Sequence, residues 1–322
     1  IISENSILRK RGCVIMQLAQ IAYRVACSDV QISPCNIYND TINIKESVIM
    51  NKKTVLITGA SSGIGRATAI ELSQRGYSVY AGARRMDRLR DLECFGIHPV
   101  QLDVTDEASM VSCVNEIFEK EGSIDILINN AGYGSYGAVE DVPLSEGRYQ
   151  MEVLLFGTAR LIQLVLLKMR ENHYGKIVNV TSMGGRIWTM LGAWYHAGKF
   201  AVEGFSNSLR IETKPFGIDV IVVEPGGIKT EWGDIAADHL EEYSFNGAYA
   251  DSAKGYAAML SKQYGGNGLS RPELITHTIS KAIAARRPRT RYLVGFSAKP
   301  MIWIKNIFGD RFFDWVIRSF SH

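Results

Sequence analysis

A serine, a tyrosine and a lysine are the residues of this chain best suited to act together in proton transfer. Tyr195 and Lys199 are four residues apart, so on a helix they share one face. A tyrosine titrates near about pH 10, and an ammonium within about 4 to 6 Å lowers that pKa. Ser182 ends the apolar run Lys176–Thr181 and would offer its hydroxyl to the same reacting oxygen. The spacing therefore predicts an acid/base site centred on Tyr195.

A strand, a glycine-rich turn and a helix precede these residues. Lys53–Thr58 is an apolar, β-branched run, which predicts a strand buried on both faces of a parallel sheet. The turn Gly59-Ala60-Ser61-Ser62-Gly63-Ile64-Gly65 follows, and a helical pattern runs from Arg66 to Arg75. Glycines let the backbone approach a pyrophosphate, and a helix N-terminus offers unpaired N–H groups. The segment predicts a dinucleotide site, with an ordinary turn as the alternative.

The end of the next strand bears on the choice of cofactor. Tyr77–Gly82 runs into Ala83, Arg84 and Arg85, where an NAD-binding chain usually carries an acid that holds the ribose 2′-hydroxyl. Arg84, or Arg85 in its place, can instead pair with a 2′-phosphate through its planar fork. The sequence therefore favours NADP over NAD, unless both arginines are solvated loop charges.

Three further strand ends carry polar or turn residues. Asp103 and Val104 follow one apolar run, and the carboxylate is expected near the adenine. Asn129–Gly132 ends another, where Asn129 could equally bond its own backbone. Ile218–Glu224 closes in Pro225 and Gly226, with Thr230 just beyond. In a parallel sheet these turns meet at the carboxyl edge, where ligands of open α/β sheets bind.

In this order and spacing, the motifs Thr58-Gly-x-x-x-Gly-x-Gly65, Asp103, Asn129–Gly132, Ser182, Tyr195-x-x-x-Lys199 and Pro225-Gly226 resemble the short-chain dehydrogenase/reductase family. The resemblance covers about residues 50–322 and implies an α/β fold: a single-domain, Rossmann-type, doubly wound parallel sheet with helices on both faces. It implies that Tyr195 is the acid/base, that Lys199 holds the nicotinamide ribose and lowers the phenol pKa, and that Ser182 fixes the substrate oxygen.

The resemblance also implies a set of cofactor contacts and no metal ion. They are Gly59, Ser61, Ser62, Gly63, Ile64, Gly65, Arg84, Asp103, Val104, Asn130, Ala131, Tyr195, Lys199, Pro225, Gly226 and Thr230. A cytoplasmic homodimer or homotetramer is expected. Arg291–Gly295 and the aromatic segment after it are most similar to the hydroxysteroid and retinol dehydrogenase branch.

One position departs from the family pattern. Family members usually carry an Asn three residues before the glycine that is Gly157 here, where it anchors a water in the proton relay; this chain has Leu154. A leucine can neither bond that water nor pin the helix kink beside it. We therefore expect slowed turnover, with hydride transfer preserved, because relay loss falls within the roughly 10²- to 10⁴-fold range of acid/base assistance.

Length and composition fit one large α/β domain. The chain has 322 residues, 46% of them hydrophobic, and a net charge of +3, so no nucleic-acid partner is indicated. The basic cluster Arg286–Arg291 is expected to be a solvated turn, with a phosphate or lipid site as the alternative. The five cysteines lack metal-site spacing. Residues 1–49 are expected to be a disordered or non-native extension, since Met50 stands where such chains commonly begin.

The segments around the site indicate the substrate. Tyr133, Tyr136, Met183, Ile187, Trp188, Met190, Trp194, Trp232, Tyr243 and Phe245 suit a bulky apolar alcohol or ketone, such as a steroid or retinoid. The aromatic tail, Lys299–Phe308 and Arg311–Phe320, reads as two short amphipathic helices that form a lid, a subunit contact, a peripheral membrane anchor or a core cap. The alternatives are a 3-oxoacyl thioester reductase, which the acidic flanking segments disfavour, and a nucleotide-sensing protein with impaired catalysis.

Overall fold

Seven parallel strands form one sheet in the order β3-β2-β1-β4-β5-β6-β7. The computed structural model describes residues 52–319, so the expectation for residues 1–49 lies outside the described residues. The strands are β1 Thr54–Thr58, β2 Ser78–Ala83, β3 His98–Gln101, β4 Ile126–Asn129, β5 Gly175–Val180, β6 Ile218–Pro225 and β7 Arg291–Val294.

Helices connect the strands and extend the domain beyond β6. They are α1 Gly63–Gln74, α2 Glu107–Glu121, α3 Leu144–Met151, α4 Gly157–Glu171, α5 Ala193–Thr213, α6 Trp232–Ser244, α7 Ala250–Gly265, α8 Pro272–Ala284 and α9 Ala298–Ser319. A widened π turn, Glu152–Phe156, joins α3 to α4. Helix α9 is broken at Gly309, which confirms the expected pair of short helices.

The sheet separates two apolar layers, as the alternation of side chains along a strand requires. Val55 and Ile57 of β1 point into a core completed by helices α1 and α8. Leu56, between them, points into a second core completed by α2 and α4. All five residues of β1 are buried, which explains its unbroken apolar sequence. The doubly wound architecture with helices on both faces is confirmed.

The chain reverses its direction of travel across the sheet at β1. Strands β2 and β3 lie on one side of β1, and β4 to β7 lie on the other. The loops after β1 and β4 therefore diverge and leave a crevice at the carboxyl edge, which is where doubly wound sheets bind their ligands.

One helical stretch in the described part, Leu144–Glu171, is long and apolar enough to cross a membrane by length and composition alone. It comprises α3, the π turn and α4. Its residues Leu161, Val165 and Met169 are buried in the core against the sheet, so packing within the domain accounts for one apolar face of the stretch.

Candidate functional site

The glycine turn after β1 is held in place by backbone contacts that exclude larger residues. Gly59 has φ +64°, and a Cβ there would lie 2.8 Å from Ala131 Cα. A Cβ at Gly65 would lie 2.5 Å from the Gly59 carbonyl oxygen. Asn130 Nδ2 donates to the carbonyls of Thr58 (3.0 Å) and Gly59 (3.2 Å), so the end of β4 fixes the turn. The backbone of Gly65 therefore packs directly against the Gly59 carbonyl, which requires a glycine at position 65.

The N-terminus of α1 opens onto the crevice. Ser62 occupies the position before the helix, and its side chain makes no capping hydrogen bond. Gly63 has φ +53°, and a Cβ there would lie 3.2 Å from Thr230 Cγ2 on the far wall. The first backbone N–H groups of a helix have no partners within it and carry its positive dipole end, so this terminus can bind a pyrophosphate.

Arg84 and Asp103 lie further along the same crevice. Arg84 is exposed, and its Nη1 donates to Tyr149 Oη at 2.8 Å, while Arg85 also lines the crevice. The carboxylate of Asp103 accepts from the N–H (2.9 Å) and the hydroxyl (2.8 Å) of Thr105, which fixes its position. A cation therefore stands after β2, where an acid would repel a 2′-phosphate.

Strand β5 and helix α5 bring Ser182, Tyr195 and Lys199 together. Ser182 and Tyr195 form a side-chain hydrogen bond. Lys199 Nζ donates to the carbonyl of Val180 at 3.0 Å. Ser182 Oγ also accepts from Gly184 N at 3.0 Å, which fixes its rotamer. The arrangement can hold a carbonyl oxygen beside a phenol, with an ammonium nearby.

The protonation states differ from the sequence-based expectation. Burial raises the pKa of Tyr195 to about 12, and the hydrogen bond with Ser182 acts in the opposite direction. Burial also lowers the pKa of Lys199 to about 8, partly offset by the charge of Glu203. The predicted lowering of the phenol pKa by Lys199 is not observed, because burial dominates and the ammonium is directed at Val180. Tyr195 is therefore a phenol at neutral pH, ready to donate.

His196, next to Tyr195, was not singled out by the sequence. Burial lowers its pKa to about 4, so the ring is neutral. Nδ1 lies 2.9 Å from the Gly184 carbonyl and must carry the proton, which leaves Nε2 to accept from Thr189 N at 2.9 Å. His196 thereby fixes both ends of the loop after Ser182. Nothing in the sequence distinguishes such a histidine from an ordinary core residue.

A cluster of two buried carboxylates and two half-buried guanidiniums lies behind the site. Arg291 forms ion pairs with Glu203 and Glu224, and Arg186 lies 3.6 Å from Glu224. Thr181 Oγ1 donates to Glu203 at 2.6 Å. Burial, together with the charge of Glu203, raises the pKa of Glu224. The expectation of a solvated basic turn is therefore wrong for Arg291, because buried carboxylates draw its guanidinium inward.

These groups surround a cavity of about 930 Å³. Every residue expected to contact the cofactor lines it except Gly65, and Ser182 lines it too. Asn129 does not; its amide donates to Asn179 Oδ1 at 2.9 Å in a buried network under the site. Among the described residues, no group of three or more potential metal ligands is clustered.

The apolar half of the cavity differs in part from the expected lining. Tyr133, Tyr136, Met183, Ile187 and Trp232 line it, whereas Trp188, Met190, Trp194, Tyr243 and Phe245 do not. Trp188, for example, packs edge-on against Phe313 of α9. The residues that sequence reasoning missed include Tyr256, Met259, Leu260 and Tyr264 of α7, and Phe296, Met301 and Ile317 of the tail. Their helical periodicity looks the same whether a face borders a core or a cavity.

The helix kink at Leu154 persists without the usual asparagine. Leu154 is buried in the π turn, and its methyl groups pack against Gly132 and Gly198. A Cβ at Gly157 would lie 2.2 Å from the Val104 carbonyl oxygen, so the glycine lets α4 reach the loop after β3. The π turn is therefore retained with a leucine at position 154, because the close approach of Gly157 to Val104 holds the helix there.

Comparison with known proteins identifies the family. The family model described as short chain dehydrogenase matches residues 53–239. The chain belongs to the short-chain dehydrogenase family. It is 37% identical over 247 residues to oxidoreductase BOA17 of Botryotinia fuckeliana, covering 76% of this chain and 89% of the relative. It is 35% identical over 277 residues to a 3-ketodihydrosphingosine reductase of Bacteroides thetaiotaomicron, covering 84% and 98%.

The expected branch is confirmed by similarity to retinol dehydrogenase 8 of Bos taurus, which is 31% identical over 266 residues and covers 79% of this chain and 85% of the relative. Among solved structures, a short-chain dehydrogenase from Streptomyces avermitilis has a TM-score of 0.69 at 32% identity, covering 78% of this chain and 92% of that one. A serine dehydrogenase complexed with NADP+ has a TM-score of 0.64 at 25% identity, with 75% and 94% covered.

This short-chain dehydrogenase is therefore a nicotinamide-dependent oxidoreductase. Its crevice fits the cofactor on its own evidence. The N-terminus of α1 lacks a side-chain cap. A Cβ added at Gly59 would collide with Ala131, and one added at Gly63 would crowd Thr230. The turn and Thr230 would hold the pyrophosphate, Arg84 and Asp103 the adenosine end, and Lys199 the nicotinamide ribose. When bound, the cofactor supplies or accepts a hydride.

Proposed function

We propose that the protein is an NADP-dependent oxidoreductase that interconverts a carbonyl and a secondary alcohol on a bulky apolar substrate. The observation that carries this proposal is the position of Tyr195. Its buried phenol, hydrogen-bonded to Ser182, stands where the polar nucleotide crevice meets a cavity wall of aromatic and aliphatic side chains.

Tyr195 is proposed as the acid/base. In reduction, its phenol gives a proton to the substrate oxygen, while the Ser182 hydroxyl positions that oxygen. A phenol whose pKa is raised to about 12 by burial keeps its proton at neutral pH, which suits the donor role. The Lys199 ammonium stabilises the phenolate that remains. In oxidation the same groups act in reverse order.

The preference for NADP is proposed from Arg84. The guanidinium is held at the crevice by Tyr149, and Ala83 leaves no carboxylate to repel a phosphate. A planar guanidinium pairs with a phosphate through two parallel hydrogen bonds, which is the recognition that a 2′-phosphate needs.

The substrate class is proposed from the lining of the cavity. Tyr136, Tyr256, Trp232, Met259 and Leu260 present large apolar surfaces beside Tyr195. The names of two relatives, a 3-ketodihydrosphingosine reductase and a retinol dehydrogenase, indicate lipid-like substrates and support this assignment. Exposed Glu241 and Glu242 near the site disfavour an acidic carrier protein, and with it the thioester alternative. A cytoplasmic location is proposed as well, since an odd number of cysteines, five, fits a reducing compartment.

The decisive experiment follows NADPH absorbance with steroid, retinoid, long-chain 3-keto and acyl-thioester carbonyls. We expect turnover with an apolar ketone or aldehyde. Tyr195→Phe removes only the hydroxyl, so it should lower kcat by at least about 10²-fold while NADPH affinity stays within about twofold. Tyr264→Phe, which changes a tyrosine in the same cavity without touching the proposed chemistry, is the matched control. Parental activity in Tyr195→Phe would refute the mechanism.

A further inference from the structure

An exposed ridge of aromatic side chains runs along helix α9. Trp303, Phe308, Phe312 and Trp315 are 59%, 52%, 41% and 64% exposed, and Ile307 beside them is 56% exposed. Their rings form a continuous series, with centroid separations of 6.1 Å, 4.8 Å and 5.5 Å. We call these five side chains the aromatic ridge. Contiguous apolar surface of this kind marks an interaction site in a folded protein.

The ridge belongs to a packed element of the fold. The opposite face of α9 buries Ile302, Phe313 and Ile317, which pack with Ile187 in an apolar cluster of their own. Asp314 accepts from Trp188 Nε1 at 2.8 Å and ties the second half of the helix to the domain. Because this face of α9 is packed against the domain, the aromatic ridge on the other face is held toward solvent.

The elbow at Gly309 gives the ridge its shape. Gly309 has φ +73° and ψ −177°, and a Cβ there would meet nothing within 4 Å. The chain thus turns in open space between Phe308 and Phe312, whose rings are 4.8 Å apart. The apolar surface is centred on an exposed bend between two short helices.

Positive charge accompanies the ridge. Lys299, Arg311 and Arg318 of α9 are exposed. The two acids of the helix are both engaged: Asp314 with Trp188, and Asp310 with Lys305 at 4.0 Å. An apolar, tryptophan-bearing surface with free cations complements the interface of an anionic lipid bilayer, where indole rings lie at the headgroup level.

The same segment borders the cavity. Phe296 and Ser297 precede α9 and line the cavity, and so do Met301 and Ile317 of the helix itself. Phe296 is 47% exposed, so it connects the apolar cavity wall with the outside. The ridge and the substrate half of the cavity therefore share one short segment.

We propose that the aromatic ridge docks the protein on the surface of an anionic lipid bilayer, with the cavity opening beside the lipid. The indole and phenyl rings enter the headgroup region, and the three exposed cations pair with anionic headgroups. The proposal concerns peripheral binding only. It does not depend on the proposed substrate, because lipid binding is measurable without turnover.

A second copy of the chain is the competing occupant, and the shape argues against it. A stable dimer needs about 800 Å² of complementary surface on each partner. The ridge consists of five side chains around the exposed bend at Gly309, where a Cβ would meet nothing within 4 Å. Other exposed apolar side chains lie away from the tail in sequence. Examples are Phe156 at the π turn, Leu167 on α4 and Ile211 on α5. A bend that inserts between headgroups needs no complementary partner surface.

The test is co-sedimentation of the full chain with vesicles of phosphatidylcholine alone and of phosphatidylcholine with phosphatidylglycerol. We expect binding to the mixed vesicles that weakens with added salt, together with a blue shift of tryptophan emission. The double variant Trp303→Ser/Trp315→Ser should reduce the partition coefficient at least tenfold. Lys299→Gln/Arg311→Gln/Arg318→Gln should remove the preference for anionic vesicles.

The matched control is Val139→Ser/Leu274→Ser, which removes two apolar side chains of comparable exposure (64% and 43%) elsewhere on the surface. It should leave vesicle binding unchanged. The mass of each variant in lipid-free solution is measured in parallel. Binding that the tail variants do not alter would overturn the proposal, as would a lipid-free dimer that the Trp303/Trp315 variant dissociates. Unchanged NADPH affinity in the double variant excludes misfolding.

Discussion

Arg84 is the residue on which the proposed preference for NADP depends. We expect NADP(H) to bind at least several-fold tighter than NAD(H), and Arg84→Ala to narrow the gap by about 1 to 3 kcal/mol, the scale of a charge-assisted hydrogen bond. Dissociation constants for both cofactors, from fluorescence titration, check this. Arg90→Ala, an exposed cation away from the cavity, serves as control. Equal affinities in the parent protein would contradict the assignment.

Glu203 should act on catalysis through the charge of Lys199. Burial lowers the pKa of Lys199 to about 8, and the carboxylate of Glu203 opposes that shift. The ammonium is present below its pKa and lost as pH rises through it. Glu203→Gln should therefore move the alkaline limb of kcat/KM to lower pH, by on the order of one unit.

Thr181→Val separates this charge effect from packing, because it removes the 2.6 Å hydrogen bond to Glu203 but keeps the carboxylate. Its alkaline limb should coincide with that of the parent, even if its melting temperature falls. An alkaline limb that stays in place in a folded Glu203→Gln protein would show that the buried cluster serves packing alone.

At the scale of elements, the π turn between α3 and α4 offers a test of the proton relay. Leu154→Asn should raise kcat by restoring an anchor for the relay water. It should also lower the free energy of unfolding by about 1 to 3 kcal/mol, because the amide replaces a leucine packed on Gly132 and Gly198. Leu154→Met keeps the volume and the apolar character of the side chain, so it should change kcat and the free energy of unfolding only slightly.

Steady-state kinetics test whether Leu154 limits proton supply. The kcat and the solvent isotope effect are measured at saturating cofactor and substrate. The isotope effect should shrink in Leu154→Asn. If kcat and the isotope effect both stayed at the parental values in a folded variant, Leu154 would be a packing residue with no link to proton supply.

The elements also show what sequence reasoning can reach. Strands such as β1 and β6 were predictable because a mainly apolar run followed by a turn, as in β6 with only Asp219 and Glu224 as polar residues, has one structural meaning in a parallel sheet. The tail was predictable as two helices. Its contribution to the cavity was not, because Met301 and Ile317 look the same in sequence whether they face a core or a ligand. The capture of Arg291 by Glu203 and Glu224 depends on pairing between β6 and β7, which no local pattern encodes.

For the whole molecule, we propose a homo-oligomer assembled through α4 and α5. Leu167 and Ile211 are 52% and 72% exposed on these helices. Leu167→Lys/Ile211→Lys places charges there and should halve the mass in solution, or shift the dissociation constant by at least tenfold. Sedimentation velocity measures the mass, and Leu274→Lys on α8 is the control. A monomeric parent would rule out the assembly.

The division of the cavity between elements has a consequence for redesign. The nucleotide half is lined by turns after β1 to β4 and after β6, whereas α6, α7 and the tail line most of the substrate half. The two sets meet around Ser182, Tyr195 and Lys199, and again where Gly226 lies against Phe296. An engineer could therefore exchange the coenzyme at Arg84 and graft a new substrate wall at Tyr256 or Met301 as independent modules, and the gains should combine additively because the sites share no partners.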